Sequence, residues 1–161
     1  MRLGAALGAL LLLGAALAGC GFSGSHASQV RQWARTNSYL SNAEQVALDA
    51  FDLERAVRVG SALKMRTVCG GLSSDAGTLY STLDAPDHTL TSEIARSMED
   101  FFKAAEKCAV AGSTRDASVA WALASVKDGA AELAVADRKM ASYGVHSAEL
   151  DHLVQLAWRD G

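Results

Sequence analysis

The sequence predicts an all-α protein, an antiparallel up-down four-helix bundle with a short extra helix at its C-terminus. Three observations carry this. Pro86 is the single proline of the 161 residues, and helix interiors tolerate proline badly. Apolar residues recur every three or four positions through long alanine-rich stretches, with no alternating β-branched runs. Stop and start residues punctuate those stretches at Gly60-Ser61, Asp84-Ala85-Pro86-Asp87, Gly112-Ser113-Thr114 and Gly144 to Ser147.

The N-terminal segment stands apart. Arg2 gives a small positive region, and from Leu3 to Leu17 every residue is Leu, Ala or Gly. This run is short for a membrane span, which needs about 20 residues. It fits the core of a signal peptide, a helix present only in the precursor. Leu17-Ala18-Gly19-Cys20 ends it and resembles the lipobox of bacterial lipoproteins. The resemblance implies cleavage between Gly19 and Cys20 and a diacylglyceryl group on the Cys20 thiol. The expected division is therefore a signal peptide over 1–19, a lipidated cysteine and flexible tether over 20–28, and a helical domain over 29–161. Two buried acyl chains hold a protein stably where one does not. The expected location is thus the extracytoplasmic face of the cell membrane.

The first helix of the domain is expected from Ser28 to about Val59. Its stripe is Val30, Trp33, Leu40, Ala43, Ala47, Ala50, Leu53 and Val57, with weak helix formers Asn37 and Ser38 marking a bend. Ser61 caps the second, which runs to about Leu83 with Met65, Val68, Cys69, Leu72, Ala76, Leu79 and Leu83 inward. Gly70-Gly71 interrupts it and suits close approach by a neighbouring helix. The third runs from about His88 to Val110 with Leu90, Ile94, Met98, Phe101, Ala105 and Cys108 on one face. The fourth, capped by Ser113 or Thr114, runs from about Arg115 to Tyr143 with Ala120, Leu123, Val126, Ala130, Leu133 and Met140 inward. A short last helix follows Ser147, carries Leu150, Leu153, Val154 and Trp158, and is expected to fold across one end of the bundle. Short connections make sequential helices antiparallel neighbours.

There are 15 basic and 18 acidic residues, and loss of Arg2 with the leader leaves the mature part near −4. An acidic chain with scattered basic residues lacks the basic face that nucleic acid requires. With Cys20 taken by lipid, Cys69 and Cys108 form an even pair in an exported protein, which reads as a disulfide. A hairpin symmetric about residue 85 would set Cys69 opposite residue 101, so the bridge requires offset helices or an uneven loop.

Candidate chemistry is sparse. Ser61-Ala62-Leu63-Lys64 matches S-x-x-K and Ser74-Asp75-Ala76 half-matches S-D-N, but no K-T-G exists. A helix cap and a surface lysine explain the first motif. His146-x-x-Glu149-x-x-His152 places three metal-ligating types at helical spacing, and Glu149-x-x-His152 resembles half of the ferritin-like di-iron pattern. The second Glu-x-x-His that pattern needs is missing, and the segment reads as an exposed polar face. His26 and His88 read as solvated. The charges at Arg55 and Arg58, Glu93 and Arg96, and Lys103 and Lys107 read as outward-facing. Trp33, Phe51, Phe101 and Trp121 read as core, while Trp158 either seals the bundle or meets a partner. No catalytic residue, metal ligand or cofactor is assigned.

Trp33-Ala34-Arg35-Thr36-Asn37-Ser38-Tyr39, Arg66-Thr67-Val68-Cys69 and the later Cys108 give the mature part a resemblance to small alanine-rich helical lipoproteins of actinobacterial cell envelopes. Such proteins generally lack an assigned activity, so the resemblance implies a location more than a reaction. The expected function is a non-enzymatic, lipid-anchored module that binds an envelope protein. The alternative is a helical bundle that holds a small apolar ligand or a metal.

Overall fold

The computed structural model describes residues 24–159, with side chains to Leu156. The lipobox residues Leu17 to Cys20 and the first part of the tether, residues 21–23, lie outside the described residues, as does the side chain of Trp158. The described chain is all-helical: α1 (His26–Thr36), α2 (Tyr39–Arg58), α3 (Ala62–Tyr80), α4 (His88–Ala109), α5 (Ala117–Ser142) and α6 (Ala148–Arg159).

Local chemistry sets these boundaries. The side chains of Ser25, Ser61, Asp87, Asp116 and Ser147 accept hydrogen bonds from the backbone amides of Ser28, Lys64, Leu90, Ser118 and Leu150, satisfying donors that helix starts leave open. Gly60 (φ +72°) and Gly144 (φ +79°) end α2 and α5 in the left-handed region. Each is followed by the paired bonds of a Schellman turn: Gly60 N to Val57 O with Ser61 N to Ala56 O, and Gly144 N to Ala141 O with Val145 N to Met140 O.

Several expectations need correction. The helix expected from Ser28 to Val59 is two helices. Asn37 Nδ2 donates to Trp33 O, Asn42 Nδ2 donates to Asn37 O, and Ser38 adopts φ 51°, ψ 37°. Local side-chain bonds thus outcompete the helical ladder at this point. The expected tether also runs too far: capped by Ser25, helix begins at His26. Asp116, not Ser113 or Thr114, caps α5. The inward stripe of α5 begins with Val119 and Ala122 rather than Ala120, so Trp121 is 69% exposed; Phe51 on α2, also read as core, is only half-buried.

Helices α2 to α5 pack in sequence, with α4 against α5 the most extensive interface. The terminal helix does not cross the end. It lies along α2 and α5, which touch each other only slightly; α6 therefore completes the bundle wall. The end is covered instead by α1. Trp33 Nε1 donates to Thr82 O at 3.2 Å and Arg31 Nη1 to Tyr143 O at 2.9 Å. Asp87 locks the same end. Its carboxylate accepts from the Leu90 amide, Lys139 Nζ and Tyr143 Oη, and His26 Nε2 lies 3.7 Å away. Burial alone would raise the Asp87 pKa, but the bonds from Tyr143, Leu90 and Lys139 outweigh it and hold the group well below the usual carboxylate range.

Cys69 and Cys108 are disulfide-bonded, with Cα atoms 6.0 Å apart. The register question resolves in the loop. At 1.5 Å per residue, Cys69 lies about 16 Å from the end of α3 and Cys108 about 30 Å from the start of α4. Residues 81–87 climb the difference, so the connection is uneven.

Candidate functional site

The bundle's packing leaves few polar groups inside, and those few gather on α2, α4, α5 and α6. Asp137 lies on the inward face of α5 between the buried residues Ala136 and Met140 and is only 3% exposed. The Gly144 turn reverses the chain at the end of α5, and Ser147 starts α6 with its hydroxyl bonded to Glu44 of α2. This hairpin brings His146 and Asp151 back over Asp137. One ligand-type atom from each of Asp137, His146 and Asp151 lies within 4.8 Å of the other two, and His146 Nδ1 stands 3.7 Å from Asp151 Oδ2. Burial pushes the Asp137 carboxyl up to about 7; its hydrogen bond to Asp151 and the charge of Asp151 act in the same direction, while His146 and Arg138 oppose it.

Asp137 Oδ1, Tyr39 Oη and Glu93 Oε2 are all buried without a hydrogen-bond partner. Burial, followed by the charges of Asp137 and Glu93, raises the Tyr39 hydroxyl far above its ordinary range. Glu93 was expected to face outward; instead its Oε2 is buried, while Arg96 on the same helix reaches Glu132 at 3.6 Å. A second carboxyl pair joins α2 and α3. Burial, then a hydrogen bond and repulsion from Asp75, push Asp49 up to about 7 against the bond from Gln45 Nε2.

An open cleft of about 440 Å³ is lined by Arg31, Arg35 and Ser38 among others, and of the triad His146 reaches it. The sequence motifs fare unevenly. Ser61 Oγ accepts from Lys64 N, which is a helix cap. In His146-x-x-Glu149-x-x-His152 the histidine at 146 does join other ligand types, but Glu149 and His152 are exposed and outside the cluster. Asp137 escaped sequence reading because it is nine residues upstream on another helix, where a buried aspartate among alanines was the one available signal. Among the described residues, no helix is long and apolar enough to cross a membrane. Comparison with protein-family models, with curated proteins and with solved structures finds no match.

Proposed function

We propose that this protein is a lipoprotein anchored through Cys20 to the extracytoplasmic face of the cell membrane, and that it works by binding another envelope component. The observation that carries the reading is Leu17-Ala18-Gly19-Cys20 directly behind an uncharged run of Leu, Ala and Gly. The Cys69–Cys108 bridge supports export, since disulfides persist in oxidising compartments.

The distribution of exposed apolar side chains supports the binding half. Val59, Leu63, Val110 and Trp121 are 65%, 73%, 73% and 69% exposed. Up-down topology puts the end of α2, the start of α3, the end of α4 and the start of α5 at one pole. That pole is opposite the one covered by α1, the helix that follows Cys20 in the chain. Exposed apolar groups gathered at one pole suit a protein partner.

Intact-mass analysis of the protein purified from membranes tests the anchor. A chain beginning at Cys20 and carrying diacylglycerol is expected; a bare thiol or a retained leader would overturn the reading. Envelope pull-downs in mild detergent test the binding half, where capture should fall on Leu63→Ser or Trp121→Ser. Capture of nothing specific, or capture indifferent to both substitutions, counts against it.

A further inference from the structure

We propose that Asp137, His146 and Asp151 form a binding site for a divalent transition cation of the zinc class, joining the end of α5, the turn after it and the start of α6. This goes beyond anchoring and partner binding, and neither depends on the other. The donor set is one imidazole and two carboxylates. A hard cation such as Ca²⁺ or Mg²⁺ takes oxygen ligands, whereas zinc accepts nitrogen and carboxylate oxygen together.

The observation that points to a ligand is the state of Asp137. An aspartate 3% exposed on an apolar helix face is costly unless its charge is met. Its Oδ1 is fully buried and has no hydrogen-bond partner. The hydrogen bond its carboxyl does make is to Asp151, another carboxyl rather than a cation, and Tyr39 and Glu93 on α2 and α4 supply no positive charge. Arg138 and His146 are the cationic types whose charges reach it. A bound cation would neutralise both carboxylates and give Asp137 a reason to be buried where it is.

The geometry is close to what such an ion needs. Ligands on a tetrahedral ion with bonds of 2.0–2.2 Å stand about 3.5 Å apart, against a spread of up to 4.8 Å. Asp137 is fixed by packing, but the side chains of His146 and Asp151 are 55% and 44% exposed. They have the freedom to close the remaining ångström. The flanking backbone is held on both sides, by the Gly144 Schellman turn and by the Ser147 cap. Three protein ligands leave one position open, and one of the three, His146, also lines the cleft that contains Arg31 and Arg35.

The test is zinc titration of the full chain, purified from membranes in mild detergent, against a chromophoric chelator. One Zn²⁺ per chain is expected, with no competition from Ca²⁺ or Mg²⁺. Since supporting partners of ligands alone cost 10- to 100-fold, His146→Ala and Asp151→Asn should each weaken binding by at least about tenfold. Both are surface changes that leave the fold intact by circular dichroism. Glu149→Gln and His152→Ala should change nothing. Co²⁺ in place of Zn²⁺ should give the visible absorption of a four-coordinate site, lost in His146→Ala. Absence of stoichiometric binding overturns the proposal. So does binding that survives His146→Ala, or binding that disappears with His152→Ala.

Discussion

At the scale of single residues, Asp49 makes stability depend on pH in the opposite sense to an ordinary surface aspartate. Its carboxyl is pushed up to about 7, by burial first and then by Asp75, with Asp52 adding to the effect, whereas an unfolded aspartate titrates near 3.9. The folded state therefore holds a proton that the unfolded state has released between about pH 4 and pH 7, and stability falls as pH rises through that window. With no cation bound, Asp137 contributes with the same sign. Denaturant melts from pH 4 to 8 should show the decline, and Asp49→Asn should make it shallower without abolishing it. An unchanged slope in the variant would mean that Asp49 titrates normally in the folded protein.

Among elements, the α4–α5 interface turns on one glycine. A Cβ on Gly129 would stand 3.1 Å from Ser97 O and 3.2 Å from the Phe101 ring. Ser97 Oγ, itself buried, donates to Gly129 O at 2.7 Å. Gly129→Ala should therefore push the helices apart and cost about 1–3 kcal/mol. A Cβ on Gly70 meets nothing within 4 Å, so Gly70→Ala should gain roughly 0.5–1 kcal/mol from helix propensity. Urea titration of the pair checks both signs, and equal effects would refute the packing argument. Of the paired glycines that suggest close packing, Gly70 faces open space, while a Cβ on Gly71 would stand 3.1 Å from Asp49 Oδ2 of α2; that neighbour is a side-chain end, whereas at Gly129 it is backbone and a ring. Gly129 lies in an alanine-rich run where nothing local distinguishes it. The same contrast governs legibility more widely. Helix ends at Gly60, Asp87 and Gly144 were readable because caps and left-handed stops are local. The break at Asn37-Ser38 was readable only as a bend, because its completion depends on side-chain bonds across several residues. The course of α6 along α2 and α5, and hence the meeting of Asp137 with His146 and Asp151, depends on tertiary packing that no local pattern encodes.

For the molecule as a whole, the disulfide is the covalent tie on a bundle whose other closures are side-chain contacts. The Asp87 network and α1 fasten the pole where residues 81–87 join α3 to α4. Cys69 and Cys108 staple the same two helices well away from that loop, with α5 and α6 following in the chain. Their sequence separation of 39 encloses nearly the whole α3–α4 hairpin. Closing a loop of that length removes unfolded-state entropy equivalent to about 4 kcal/mol on the chain-entropy account. For a domain whose total stability is about 5–15 kcal/mol, this is a large share. The double variant Cys69→Ala/Cys108→Ala should therefore stay helical but unfold at much lower denaturant, with a loss of about 4 kcal/mol. Wild-type protein melted in reducing agent should lose most of the same stability, differing from the variant by the packing that the two buried sulfurs keep and Ala gives up. If the reduced protein keeps its full stability, the hairpin is held by the α3–α4 core alone, and the bridge does not account for the stability assigned to it.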